Sequence, residues 1–390
     1  MKIAYIAHIR LPTERAHGYA TMKLCEEFAR AGHEVELIVP DKWAPALKEK
    51  DPFIYYAIER NFKLRRIFST DFLGKEDGRG RIAFWLDLLS FIYIAKWLCG
   101  DTLRAADVVY TRDFRLVGFL PCEKIVLEVH DIPAQTEQFA QAVKAASHVI
   151  AISNGLKQAI ETLGVKKEIL VAPDAVDMRR FLNVPAQQDA RKALGLPQKI
   201  GAYKKIALYA GHFYPWKGAD IFAEAAIRLP DIHGVLVGGV EPDFEVIKQK
   251  YGQYVHIDVR PFQPPPLMPL YYAAADVLVL PNSAKEKISS SYTSPLKLFE
   301  YMASGKPIVA SDLPSIREIV DEHTALLVKP DSPKALADGI QKVLDDPALA
   351  ARLGTAAKAK VEGYTWPARA RAVVDFINPA REYTRTTHER

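Results

Sequence analysis

Hydrophobic and polar positions follow two rhythms that take turns along the chain. Short apolar runs fall at residues 2–7 (KIAYIA), 34–39 (EVELIV), 107–112 (DVVYTR), 124–130 (KIVLEVH), 148–153 (HVIAIS) and 169–177 (ILVAPDAVD), and those at 107–112, 124–130 and 148–153 turn polar at their C-terminal ends. Such runs predict parallel strands buried on both faces. Helical spacing marks 21–30 (TMKLCEEFAR), which stops at Gly32, and 82–99, a long and very apolar helix. Residues 182–200, with Pro185, Pro197 and scattered charges, read as a connection. The alternation then starts afresh. Strands are predicted at 205–211 (KIALYAG), 234–239 (GVLVGG), 256–259, 275–281 (ADVLVLP) and 307–310 (PIVA), with helices between them. Ser294 and Pro295 look like N-cap and first position of one helix, and Ser304-Gly305 ends it. The fold class is α/β, with two doubly wound parallel sheets.

Composition adds modest bounds. A chain of 390 residues fits two domains, and 49% hydrophobic with 25% charged residues is ordinary for globular protein. A net charge of +5 suits nucleotides, phosphates or a lipid surface without pointing to nucleic acid. Three scattered cysteines, Cys25, Cys99 and Cys122, match neither a disulfide framework nor a zinc site. The chain opens directly on a strand, so the expected location is cytoplasmic. The helix at 82–99 is long enough to span a bilayer. Asp87 and Lys96 would each cost about 2.5–3.5 kcal/mol near its centre. It is expected to lie buried between sheet and loop. The competing reading is peripheral membrane contact through 60–99, where Arg60, Lys63, Arg65, Arg66, Lys75, Arg79 and Arg81 accompany Phe84, Trp85, Phe91 and Trp97.

Candidate chemistry sits where the strands end, because an open α/β sheet binds ligands at the C-terminal edge of its strands. Arg112, His130 and Ser153 end three successive strands and are candidates for one rim. His17 and Gly18 lie near a helix start, where a glycine permits close backbone approach to a ligand or merely a turn. His212 and Lys217 flank the loop after 205–211. A lysine close to a helix N-terminus opposes the dipole, and an anionic ligand would account for it. The stretch 291–312 (SYTSPLKLFEYMASGKPIVASD) reads as loop, helix and strand. Its helix start favours phosphate. Lys297, Glu300 and Tyr301 share a face, and Glu300 lies roughly 8–9 Å down the axis, placed to accept sugar hydroxyls. A packing helix with a solvated Lys/Glu pair is the alternative.

Taken together, these motifs resemble the family 4 glycosyltransferases of GT-B fold. The resemblance rests on the loop with Gly18, the strand ending at His130, AIS at 151–153 and PDAVD at 173–177. It continues through YAGHFYPWKGAD, VGG, DVLVLPN and SPLKLFEYMASGKPIVASD to YTWPARA at 364–370. It implies two Rossmann-like domains facing a cleft. The acceptor domain would be 1–182 and the nucleotide-sugar domain 183–365. A helix and tail, 366–390, would cross back, with the last residues frayed. Lys217 would bind the donor diphosphate, helped by Gly18, His212 and the backbone of Ser294, Pro295 and Leu296. The family usually has arginine where this chain has His212. Glu300 matches the second glutamate of the E-x7-E motif and would hold the ribose. The first would fall at 292, where this chain has Tyr292, placed with Lys297 on the donor-sugar side. His130 would line the reacting face, with His17, Arg112 and Ser153 toward the acceptor.

The implied activity is sugar transfer from a nucleotide-diphosphate sugar to a glycan or lipid-linked acceptor, with retention, at the inner face of the membrane or free in the cytoplasm. No cofactor and no metal are expected, since no D-x-D occurs and Lys217, His212 and the helix start would offset the diphosphate charge. No nucleophilic carboxylate stands out, so a front-face route in which the leaving phosphate helps deprotonate the acceptor is the simpler one. Two other classes compete: a nucleotide-sugar epimerase of related fold, and a non-catalytic nucleotide-sugar-binding protein.

Overall fold

The computed structural model describes residues 1–70, 80–197 and 205–379. Lys75, Arg79 and the tail beyond 379 lie outside them, as does the side chain of Arg81. The chain forms two compact units, Met1–Pro173 with the segment from Trp366 on, and Asp174–Thr365.

The first unit is built on seven parallel strands: β1 (Lys2–Ile6), β2 (Glu34–Pro40), β3 (Lys63–Ile67), β4 (Val108–Thr111), β5 (Ile125–Val129), β6 (His148–Ala151) and β7 (Ile169–Val171). Their order is β3-β2-β1-β4-β5-β6-β7. The second has six: β8 (Lys205–Ala210), β9 (Ile232–Gly239), β10 (Ile257–Pro261), β11 (Val277–Leu280), β12 (Ile308–Ser311) and β13 (Leu326–Val328), in the order β10-β9-β8-β11-β12-β13 and also parallel. Strand order reverses at β1/β4 and at β8/β11, and those are the places where such a sheet opens a crevice. Side chains of both sheet faces are buried, among them Leu208, Val235, Leu278 and Ala310 on one face of the second sheet and Ala207, Leu236, Val279 and Val309 on the other.

Three elements differ from the sequence reading. The first helix is Ala16–Arg30, five residues longer at its start, so His17 and Gly18 lie inside its first turn. The boundary between units falls at Pro173/Asp174, because residues 178–196 pack on the second sheet. There Arg191, fully buried, donates from Nε to the Ala274 carbonyl at 2.9 Å and pairs with Asp276 at 2.5 Å. The long helix is Gly80–Ala105 and is buried on one face, through Leu88, Phe91, Ile92, Ala95, Cys99 and Leu103. Asp87 points to that inner face, where Lys42 and Ser69 donate to its carboxylate and His8 lies 3.6 Å away. The outer face leaves Ile82, Trp85, Leu86, Tyr93 and Trp97 exposed. Within the first unit the helix Trp366–Ile377 packs on the Ala16–Arg30 helix, with Trp366 edge-on to Tyr19.

Candidate functional site

In the second unit the site grows from the β8/β11 switch point. Gly211 follows directly on β8, and Gly238 is the last residue but one of β9; a Cβ on Gly238 would sit 2.7 Å from the Gly211 carbonyl oxygen. The loop after β8 tightens into the turn Pro215–Lys217 and closes on Gly218, which has φ +74°. A Cβ there would strike the Pro281 carbonyl oxygen at 1.9 Å, so glycine is required twice over. The Ser283 amide and the Ser289 hydroxyl both donate to the Trp216 carbonyl, at 2.9 and 3.2 Å. The loop is thereby fastened to the end of β11.

This loop presents Lys217, whose Nζ lies 5.2 and 5.0 Å from the Tyr214 and Trp216 ring centres. Burial pulls its ammonium down to about 8. Lys297 comes from the facing helix, its Nζ 4.0 Å from the centre of the Tyr209 ring. That atom is shielded from solvent and has no hydrogen-bond partner. Burial, and secondarily Lys217, hold it well below the usual lysine range. His212 is buried, stacked on Tyr214 at 5.3 Å and against Phe262 at 5.9 Å. The amine adjoining Gly211 is that of Lys297, 3.4 Å from where a Cβ on Gly211 would lie.

The helix that carries Lys297 is Leu296–Ser304, one residue later than expected, with Pro295 in the N-cap position. Ser294 does not cap it: its hydroxyl accepts the Asp174 amide at 2.9 Å and fixes the PDAVD turn. Pro295 has no amide hydrogen and cannot donate to a phosphate. The amides available at the helix start are those of Leu296 and Lys297, which find no carbonyl partner within the helix. Tyr292 closes the π-turn Ile288–Tyr292 just before this helix and is half-buried. Glu300 accepts from Arg180 at 2.6 Å and from the Tyr272 hydroxyl at 2.6 Å. Each carboxylate oxygen keeps further acceptor capacity for a sugar hydroxyl. Tyr301 is buried between the parting strands, accepting the Ala210 amide at 2.9 Å and reaching the Val279 carbonyl at 3.4 Å.

In the first unit, Arg112 and His130 do meet at the strand ends, with Arg112 2.8 Å from His130 Nδ1. The other ring nitrogen donates to Glu128 at 2.6 Å. Burial and then the Arg112 charge lower the imidazole to about 4, so the ring is neutral, with its proton on Nε2. Glu128 is buried. Burial alone would raise its carboxyl, but Arg369, at 2.9 Å, together with His130 holds it well below the usual range. The Tyr110 hydroxyl also donates to Glu128. Ser153 is spent on a cap, its Oγ accepting the Leu156 amide at 3.1 Å. Gly18 is buried beneath Tyr56: a Cβ there would meet the phenol oxygen at 2.3 Å. Its amide donates to the Arg15 carbonyl at 3.1 Å. Packing inside the unit accounts for this glycine, and His17 sits half-buried beside it.

Residues 193–360 match the family described as glycosyl transferases group 1, and residues 18–180 match glycosyltransferase family 4. The chain belongs to the family 4 glycosyltransferases. Among curated relatives, a D-inositol 3-phosphate glycosyltransferase of Streptomyces avermitilis is 29% identical over 264 residues, 62% of this chain and 54% of the relative. One from Arthrobacter is 31% identical over 225 residues, covering 54% and 50%. The chain thus spans about half the length of the curated relatives it matches. A solved sucrose-phosphate synthase from Thermosynechococcus elongatus has the same fold, with a TM-score of 0.76 at 22% identity over 98% of this chain and 99% of that one. HepE of Anabaena, solved with UDP-glucose, gives 0.73 at 18% identity over 97% and 100%. The two-sheet architecture is GT-B.

For this family 4 chain, sequence reasoning overlooked Glu128, Arg369 and Arg180. Glu128 carried a usable signal: a carboxylate inside an apolar strand, two residues before His130 and so on the same face. The ties of Arg369 to Glu128 and of Arg180 to Glu300 span 241 and 120 residues, and nothing local announces them.

Proposed function

We propose that this chain transfers a sugar from a nucleotide-diphosphate sugar to an acceptor hydroxyl, with retention of configuration and without a metal. The observation that carries the reading is the group at the β8/β11 switch point. Two lysine side chains, Lys217 and Lys297, and the first-turn amides of the Leu296–Ser304 helix converge there, and no carboxylate pairs with either lysine among the described residues. Positive charge placed there when the donor is bound stabilises a departing diphosphate more than the intact donor, which is what acceleration requires. Glu300 would take the ribose and Tyr292 would face the donor sugar. HepE was solved with UDP-glucose, which makes UDP-sugars the first donors to try. In the first unit His130, held neutral, would donate or accept a hydrogen bond near the reacting sugar after exchanging one of its present partners. The departing phosphate would help remove the acceptor proton.

The acceptor is a glycan or a lipid-linked glycan, and the chain works at the cytoplasmic face of a membrane. The exposed apolar stripe on the Gly80–Ala105 helix supports that placement.

Thermal-shift measurements with UDP, GDP and ADP identify the base, and turnover of the matching sugar nucleotides is then followed with and without acceptors. Lys217→Ala should lower turnover by about 100- to 1,000-fold, the scale seen when one fixed stabilising donor is lost. Turnover unchanged in that variant would remove Lys217 from the mechanism. Conversion of donor to an epimer without acceptor would replace transfer by epimerisation. Tight nucleotide binding with no turnover on any acceptor would leave a binding protein.

A further inference from the structure

Lys297 poses a physical problem. Its Nζ is shut off from water, has no hydrogen-bond partner, and lies over the Tyr209 ring at 4.0 Å. An ammonium buried without a partner is costly, and a lysine in that position relieves the cost by shedding its proton. Long side chains normally snorkel to solvent, and this one does not. It is aimed at the backbone where β8 ends: a Cβ on Gly211 would lie 3.4 Å from Nζ. Gly211, at φ +131°, keeps the space in front of the amine clear.

The titratable groups around it offer no counter-charge. Tyr209 from β8 presents a ring face, and Lys217 from the turn after β8 adds like charge. Glu300, one turn along the same helix, is engaged by Arg180 and Tyr272. Tyr301, at the next position, faces Ala210 and Val279. His212, beyond Gly211, is stacked between Tyr214 and Phe262.

We propose that Lys297 is the second cation of the diphosphate site, charged only when the diphosphate is bound, so that donor binding draws one proton from solvent. The uncharged amine accepts a proton, and the ammonium then donates to a phosphate oxygen beside Lys217. This assigns Lys297 to the diphosphate rather than to the donor sugar. It rests on the proposed nucleotide-sugar reading and adds a feature that reading does not require. It also explains how the site does without the arginine expected after Gly211. An amine that is neutral in the empty protein costs less to bury than a guanidinium, which cannot shed its charge.

The test is calorimetric titration of the full chain with UDP at pH 7.5, in HEPES and in Tris, whose different ionisation enthalpies reveal proton exchange. Lys297→Met and Lys297→Arg are compared with the parent. The parent should take up close to one proton. Lys297→Met should lose that uptake and bind UDP about 10- to 100-fold more weakly, the scale of one hydrogen bond to a charged group, while its affinity for uridine stays unchanged. Its melting temperature without ligand should equal or exceed the parent's, since a buried amine is replaced by an apolar chain of similar length. Lys297→Arg should bind with only the small fractional uptake that Lys217 contributes at this pH. If Lys297→Met binds UDP as tightly as the parent, or takes up the same proton, the proposal is overturned and the nucleotide reading stands. A clear fall in melting temperature with unchanged UDP affinity would make Lys297 a packing residue and also overturn it. If the parent binds none of UDP, GDP or ADP, the nucleotide reading itself fails, and this proposal with it.

Discussion

Lys217 and Lys297 differ in how far each has been pushed from the ordinary lysine range, and that difference is measurable. Burial brings Lys217 to about 8, so the free protein holds its charge below that pH and loses it above. A diphosphate prefers the charged form. The profile of kcat/KM, which reports groups of the free protein, should therefore fall more steeply once pH passes about 8. Lys217→Arg keeps its charge through this range and should remove the added slope; an unchanged alkaline limb in that variant would assign it to another group. At this scale a residue's position at a strand end or helix start was legible where its chain neighbours determine it. Lys217, beside a helix start, and His130, at the end of an apolar strand, were found that way. Ser294 misled for the same reason. A serine before proline looks like a cap, yet its hydroxyl is used by Asp174, 120 residues away. Glu300 stood out by position, but the Arg180 guanidinium that holds it could not be foreseen from spacing.

Among elements, the strands buried on both faces were readable as apolar runs, while β3 and β13 were not. Both lie at sheet edges. β3 (KLRRI) alternates charge because one side faces solvent, and Lys63 and Arg65 pair across the strand gap with Glu36. The Gly80–Ala105 helix shows the opposite failure: apolar nearly all round, it suggested full burial. In the structure Ile82, Tyr93 and Trp97 are 76%, 64% and 82% exposed. Ile82 to Trp97 makes a stripe about 22 Å long at 1.5 Å per residue. Asp87, paired with Lys42 on the inner face, fixes which side points out. A bilayer interface suits such a face, since tryptophan and tyrosine settle at headgroup level and the exposed Lys96 can reach phosphates. Co-sedimentation with vesicles of phosphatidylcholine and 30% phosphatidylglycerol should capture the parent, with a blue shift in tryptophan emission. Replacing Tyr93 and Trp97 together by serine should cut capture at least tenfold and leave thermal stability within about 1 kcal/mol, as exposed substitutions do. Equal capture of both proteins, or a lipid-free dimer that the double variant abolishes, would reject the lipid contact.

The whole molecule is asymmetric in how its units are assembled from the chain. Asp174–Thr365 is continuous, whereas the first unit is closed by a helix supplied from the far end of the sequence. That helix buries Trp366, Val373, Val374 and Ile377. Fully burying an apolar side chain of this kind is worth about 1.5–3 kcal/mol, so four of them reach the size of a domain's entire margin of roughly 5–15 kcal/mol. Arg369 adds to this. It donates to the Pro173 carbonyl at 2.9 Å and neutralises Glu128. Removing it would take from the buried Glu128 its nearest guanidinium and leave Arg112, 3.7 Å away, at a cost of up to about 3–5 kcal/mol, beside His130, which is proposed for the reacting face. A fragment ending at Pro173 should therefore fail to unfold cooperatively, while 174–365 alone should give a single sharp transition and retain UDP binding. In the full chain, Arg369→Ala should lower one of two calorimetric transitions and leave unmoved the one that UDP raises. If both transitions fell together, the two units would not unfold separately, and closure of the first by its returning helix would not be the local event that this arrangement predicts.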